Sequence, residues 1–345
     1  MSEKVERELR ALFAEAEARG ACAAPSEKRL QVACLRRTGE TGTVVSSARG
    51  LFARRSWWEG LGFSEQTLAI MRAVQRRHPD WAFCGPSAAL ALGCDVPYAW
   101  QRPLHVLRES GNASARTALV THHSTTLADD ARERPIWHGG LHVTPLLRTV
   151  LDSLRWMSFR EGMVVADWAM GACGVAWQDF VEYRRVGSCR DAKRALSTFV
   201  RATGLAESGG ESIARAVMIE QGYLLPAQQV EVPDPLHPGR TFRVDFVWVR
   251  TDGRVIAGEC DGLRKLLDPE MARGRSPQQV LLDQRKREGL ITAYDVSVLR
   301  FTYEEAAGVT ELVQKLELYG VPRVGSPLAP TGPMPLPDWG LLLRR

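Results

Sequence analysis

Apolar residues recur along the chain with two periods, and these divide it into segments. Val5, Leu9, Leu12 and Phe13 fall three and four residues apart between Glu and Arg, which predicts an amphipathic helix over 2–19 that stops at Gly20. Ser26 stands where it can cap a second helix over 27–37, with Leu30, Ala33 and Cys34 on one face. Thr43-Val44-Val45 and Leu51-Phe52-Ala53-Arg54 then predict a small hairpin. Residues 61–200 are mixed. A strand end and a short Ala-rich helix are read over 81–93, and strands over 104–107, 117–123 and 140–144. Helices follow over 145–154 and 159–172.

From residue 205 the pattern is cleaner. Ser208-Gly209-Gly210 opens a helix that Gly222 ends, and strands follow over 227–232, 242–249 and 254–261. Asp252-Gly253 between the last two is a hairpin turn. Ser276-Pro277 opens a helix to about 288, a strand covers 296–301, and a final helix covers 303–318. The order is α-β-β-β-α-β-α. The stretch from Pro322 is Pro-rich and reads as irregular. The expected fold class is therefore mixed α/β and multidomain. Its divisions are a winged-helix-like region at 1–60, an α+β region at 61–204, the αβββαβα region at 205–320 and a tail at 321–345. Two helices and a hairpin make the winged-helix order, with Arg36, Arg37, Arg54 and Arg55 as phosphate contacts; a small helical cap with solvated arginines is the alternative.

Charge sharpens this division. Residues 1–204 hold 28 Lys and Arg against 21 Asp and Glu, whereas residues 205–320 hold 14 against 18. A basic front and an acidic back suggest a polyanion-binding part and a carboxylate-rich part. The seven cysteines are scattered without CxxC or zinc spacing, which points to a cytoplasmic protein with buried thiols. No apolar run is long enough for a membrane span, and the mixed-charge N-terminus does not read as a secretory signal. His105, the His122-His123 doublet and His142 lie in three separate strand segments and read as ordinary hydrogen-bonded histidines. GxGxxG, P-loop and GxSxG motifs are missing, which leaves little support for a small-molecule enzyme.

The chemistry concentrates in the hairpin. Opposed residues of an antiparallel pair have a constant number sum, and a three-residue loop at 251–253 makes that sum 504. Asp245 and Glu259 would then be cross-strand neighbours, with Asp261 on the face of Glu259. A two-residue turn offsets them by one. Like charges opposed in a sheet repel. Hard carboxylate oxygens without a balancing partner in those strands suit Mg²⁺, or Mn²⁺ in its place. Glu211 would add a third carboxylate, unless it only pairs with Arg215 one turn on.

These residues resemble the PD-(D/E)XK nuclease superfamily, and more closely its very-short-patch-repair-like endonuclease domain. The likeness rests on Glu211 in Gly-Glu-Ser-Ile-Ala-Arg, Asp245 in Arg-Val-Asp-Phe-Val-Trp, and Glu259-Cys260-Asp261-Gly262. It extends to Asp283-Gln284-Arg285, Gly289 and Val298-Leu299-Arg300-Phe301-Thr302. The resemblance implies that Asp245 and Glu259 bind the metal, assisted by the Cys260 carbonyl, and that Glu211 positions a metal-bound water. The superfamily motif ends in Lys where this chain has Asp261. The resemblance leaves three ways to supply that charge or do without it: Lys265 from the next loop, Arg285 or Lys286 from the next helix, or metal alone. Arg285 and Lys286 also count as candidate nucleic-acid contacts.

The front half resembles the AbiEi-type antitoxin family of type IV toxin–antitoxin systems. The matching stretches are Arg49-Gly50-Leu51-Phe52, Gly85-Pro86-Ser87-Ala88-Ala89, Val120-Thr121-His122-His123, the run from Val143 to Asp152, and Asp167. The resemblance implies operator DNA and a nucleotidyltransferase toxin as partners. Asp152 also reads as a helical surface charge and Asp167 as a polar residue between helices. Two functions follow: a metal-dependent nuclease delivered by a DNA-binding front half, or a DNA-binding regulator with an inert nuclease-like domain.

Overall fold

The computed structural model describes residues 3–109, 117–125, 133–183, 191–261, 279, 282, 289–325 and 335–343. The protein is mixed α/β, with three sheets among these residues. It divides into two compact units, Met1–Trp156 and Met157–Arg345. This partition places its boundary between the divisions read from the sequence at 60/61 and 204/205. Among the described residues no helix is long and apolar enough to cross a membrane.

In the first unit, α1 (Glu3–Ala18) and α2 (Lys28–Gly39) precede the hairpin β1 (Val44–Ala48) and β2 (Leu51–Arg54). Leu9 and Phe13 of α1 are buried with Leu30, Ala33, Cys34, Val44 and Phe52, so the apolar stripe does what its spacing predicts. Ser26 is not the cap of α2. The cap position is Glu27, which makes no side-chain capping bond. Helices α3 (Arg55–Glu59) and α4 (Phe63–Arg77) lead into β3 (Ala82–Phe83), α5 (Gly85–Ala91) and α6 (Tyr98–Gln101). Strands β4 (Leu104–Glu109), β5 (Val120–Thr125), β6 (Ile136–His138) and β7 (Leu141–Val143) follow, and α7 (Leu146–Trp156) closes the unit. The five-stranded sheet has the order β5-β4-β3-β7-β6.

Two readings in this unit meet their outcome. Asp152 is not a surface charge: it is fully buried in α7, where it accepts from Arg148 and Arg155. Arg148 also meets buried Glu133 at 3.2 Å. The run from Val143 to Asp152 therefore encloses an ion network away from water. His105 Nδ1 and His123 Nε2 lie 2.9 Å apart across adjacent strands, and Trp156 stacks on His123. Burial, assisted by the charges of His122 and Arg155, lowers the His123 pKa to about 4.

The second unit begins with α8 (Phe159–Gly171), α9 (Trp177–Glu182), α10 (Ala192–Phe199) and α11 (Gly209–Gln221). Asp167 is the polar residue between helices that its position suggested. One carboxylate oxygen accepts the backbone N–H groups of Thr203 and Gly204, and the other accepts the Ser212 hydroxyl of α11. Strands β8 (Ala227–Pro233), β9 (Thr241–Val249), β10 (Val255–Asp261) and β11 (Val296–Thr302) form one sheet in the order β11-β10-β9-β8. The first three are antiparallel in sequence, and β11 runs parallel to β10. The helix expected over 276–288 lies outside the described residues, apart from positions 279 and 282.

The expected final helix is two: α12 (Tyr303–Gly308) and α13 (Thr310–Leu318), separated at Val309, whose φ is +70°. Thr302 and Glu305 cap α12 reciprocally. The Pro-rich tail is not irregular throughout. Its described part carries α14 (Trp339–Leu342), where Trp339 meets Tyr294 edge-on and Leu342 accepts from the Asp295 N–H. Trp339 and Leu342 pack against the core formed by Val230, Val232, Val247, Val255 and Ala257.

Candidate functional site

The turn between β9 and β10 fixes the register of the site. Arg250 N–H donates to Arg254 O at 2.9 Å, and Gly253 N–H donates to Arg250 O at 3.0 Å. Residues 251–253 therefore form the loop, and Gly253 takes the left-handed φ of +82° that such a loop needs at its last position. Pairs Val255/Val249, Ile256/Trp248, Ala257/Val247 and Gly258/Phe246 follow, each with the number sum of 504 that a three-residue loop dictates. The ladder ends at Gly258/Phe246, and Asp245 and Glu259 are the residues that follow it on either strand. Both side chains are nearly buried, at 9% and 7% exposure. Asp245 Oδ2 accepts the Cys260 N–H at 2.9 Å, which ties the carboxylate to the opposite strand.

Glu211 stands in the first turn of α11. Ser208 caps that helix and also donates its hydroxyl to Glu211 Oε1 at 2.8 Å. Glu211 Oε2 accepts the Glu207 N–H at 3.0 Å and Gln229 Nε2 at 2.7 Å. The side chain is almost fully buried. Burial pushes its pKa above the usual 4.5, the charge of Asp245 pushes the same way, and the three hydrogen bonds oppose both. The pairing with Arg215 one turn on is not made: the Arg215 guanidinium donates to the Arg201 carbonyl. Gly210 lets α11 come close to β10, because a methyl group there would stand 2.8 Å from Cys260 Sγ.

The residue in the place of the motif lysine is Asp261, which pairs with Arg300 Nη1 at 3.3 Å. Arg300 lies beside Glu259 in the parallel ladder of β10 and β11. A cation thus flanks the carboxylates from the neighbouring strand. Lys265, Arg285 and Lys286 lie outside the described residues. Sequence reasoning passed over two residues here, Arg300 and Gln229. The ion pair of Arg300 needs the parallel pairing of strands whose partners stand 41 positions apart in the chain. The only signal for Gln229 is the Gln228-Gln229 doublet interrupting the apolar alternation of β8.

The arginines chosen as phosphate contacts are largely engaged within the protein. Arg37 binds Glu6 and the Ala33 carbonyl, Arg54 grips Glu17 with two nitrogens, and Arg55 binds the Gly42 carbonyl and Glu59. Arg36 is exposed at the end of α2. It is joined on the helix surface by Val32 and Leu35, at 41% and 55% exposure.

Among the described residues no group of three or more His, Cys, Asp or Glu side chains is arranged to hold an ion. Mg²⁺ needs less, since it uses one or two carboxylates and keeps several waters. The chemistry of the donors fits that requirement: Asp245 and Glu259 provide hard, nearly buried oxygens just past the end of the β9–β10 ladder. Glu211 has both oxygens occupied by donors, so it fits an orienting role better than a ligand role. No family model, curated protein or solved structure matches the chain.

Proposed function

We propose that the protein is a Mg²⁺-dependent nuclease that hydrolyses nucleic-acid phosphodiesters. The observation that carries this reading is the placement of Asp245 and Glu259, two nearly buried carboxylates at the end of the β9–β10 ladder, with Glu211 close enough for electrostatic coupling to Asp245. Two like charges taken out of water repel, and a divalent cation relieves that repulsion. The order of α11, three antiparallel strands and a parallel β11 adds support, since the PD-(D/E)XK resemblance implies this arrangement. Asp245 and Glu259 would hold the ion, which would supply Lewis-acid activation of a water and of the phosphoryl oxygens. Glu211 would orient the attacking water, and Arg300 would offset negative charge on the phosphate in the absence of the motif lysine. The test is titration of Mg²⁺ and Mn²⁺ into wild type and Asp245→Ala/Glu259→Ala by calorimetry, alongside nicking of supercoiled plasmid. Metal-dependent nicking that disappears in the double variant is expected. A folded wild type that neither binds metal nor nicks would sink the enzyme reading.

A second reading has its own observation. Helix α2 precedes the β1–β2 hairpin and exposes Val32, Leu35 and Arg36 on one surface while burying Leu30, Ala33 and Cys34. An exposed apolar and basic helix face ahead of a wing suits insertion into a DNA groove. On this reading the protein is a DNA-binding regulator of the antitoxin kind, with a nucleotidyltransferase toxin as its partner and an inert second unit. Specific duplex binding that is lost in Leu35→Ala/Arg36→Ala, without metal-dependent cleavage, would favour it.

A further inference from the structure

Gln229 departs from what its strand requires in four respects. Its φ is +52°, in the left-handed region that a side chain other than Gly or Asn seldom occupies. The β8–β9 ladder keeps one register from Ala227/Val247 to Pro233/Thr241, yet the step 229/245 is missing from it. The residue across that gap is Asp245. The Gln229 amide nitrogen donates to Glu211 Oε2 at 2.7 Å. Its amide oxygen is buried and accepts no hydrogen bond. Reversing the amide would set its oxygen against Glu211 Oε2, which already accepts the Glu207 N–H, so the donor faces Glu211.

A left-handed non-glycine residue, a skipped ladder step and an unsatisfied buried acceptor each cost free energy. A strand built only for stability would avoid all three with Gly at this position. Such costs persist where they hold a functional group in place. The chemistry of the donor supports the same conclusion. A neutral amide fixes the direction of a carboxylate without cancelling its charge, whereas Lys or Arg would neutralise the group that a cation is meant to sense. We propose that Gln229 is a positioning residue of the carboxylate site, its side-chain amide holding Glu211 in place beside the Asp245–Glu259 pair. This rests on the reading of Asp245 and Glu259 as the metal-holding pair.

The experiment uses the full-length protein and Mn²⁺ alone as the probe. Mn²⁺ affinity is measured by calorimetry, and unfolding temperature in parallel, for wild type, Gln229→Gly, Glu211→Ala and the double variant. Gln229→Gly removes the backbone strain and the orphaned oxygen, so its unfolding temperature is expected to equal or exceed that of wild type. Its Mn²⁺ affinity is expected to fall by about 10-fold, the low end of the range for groups that act on a metal site through another residue. Since Gln229 acts through Glu211, the double variant is expected to lose no more affinity than Glu211→Ala alone. Unchanged affinity in Gln229→Gly, with wild type binding normally, overturns the proposal and leaves the metal reading intact. Additive losses in the double variant also overturn it. A lower unfolding temperature with unchanged affinity would make Gln229 structural. A wild type that binds no Mn²⁺ overturns the metal reading and this proposal with it.

Discussion

Glu211 shows how a single side chain can be pulled in two directions. Burial and the nearby charge of Asp245 favour its neutral form, while Ser208, Gln229 and the Glu207 N–H favour the carboxylate. The first pair prevails, so the folded state holds a proton more tightly than the unfolded chain does. Below the ordinary value of 4.5 both states are protonated and ionisation costs nothing. As the pH rises above 4.5, the unfolded chain ionises freely and the folded protein does not, so stability falls until the raised folded value is passed. Glu211→Gln cannot ionise. Its unfolding temperature relative to wild type is therefore expected to climb as the pH rises above 4.5 and to level off once the raised folded value is passed, which thermal unfolding at several pH values would read. A pH-independent difference would show that Glu211 does not titrate abnormally.

At the scale of elements, the contact between α11 and β10 decides where the acid of the helix stands. Gly210 and Cys260 meet there with no room for a side chain on the helix. Gly210→Val would force the first turn of α11 away from the sheet and is expected to destabilise the protein by about 1–3 kcal/mol, the usual range for overpacking. Denaturant unfolding would measure this, and Cys260→Ala added to Gly210→Val should recover part of the loss. A neutral Gly210→Val would mean that the helix end is not held closely. The hairpin opposite was legible beforehand. Asp252-Gly253 between two apolar runs marks the turn, while its length stood open between two and three residues; the Arg250–Arg254 bond closes it at three. The split of the last helix at Val309 was not legible, because 303–318 keeps a helical pattern across the break.

For the whole molecule, the division at residues 156 and 157 gives two units, each with its own sheets and core. Segments Met1–Trp156 and Met157–Arg345, produced separately, are expected to fold, each with one cooperative transition by scanning calorimetry. Failure of either to unfold cooperatively would show that it depends on the other. The sequence put its boundary near 204 because the clean strand pattern starts after it. Helices α8 and α10 join the second unit instead, and Asp167 shows why: its carboxylate binds both the 203–204 loop and Ser212 of α11. Such a tie between distant segments leaves no mark on hydrophobic periodicity.

By itself the sequence determined the amphipathic helices, the order of the four strands from 227 to 302 and the turn at Asp252-Gly253. Each depends on residues close together in the chain, where periodicity and turn chemistry act directly. Tertiary structure alone decided that Asp152 is buried with Arg148, that Arg300 flanks Glu259, and that Gln229 leaves its ladder to hold Glu211. These depend on which segments pack together and on the desolvation that packing imposes, and neither is written into the local order of residues.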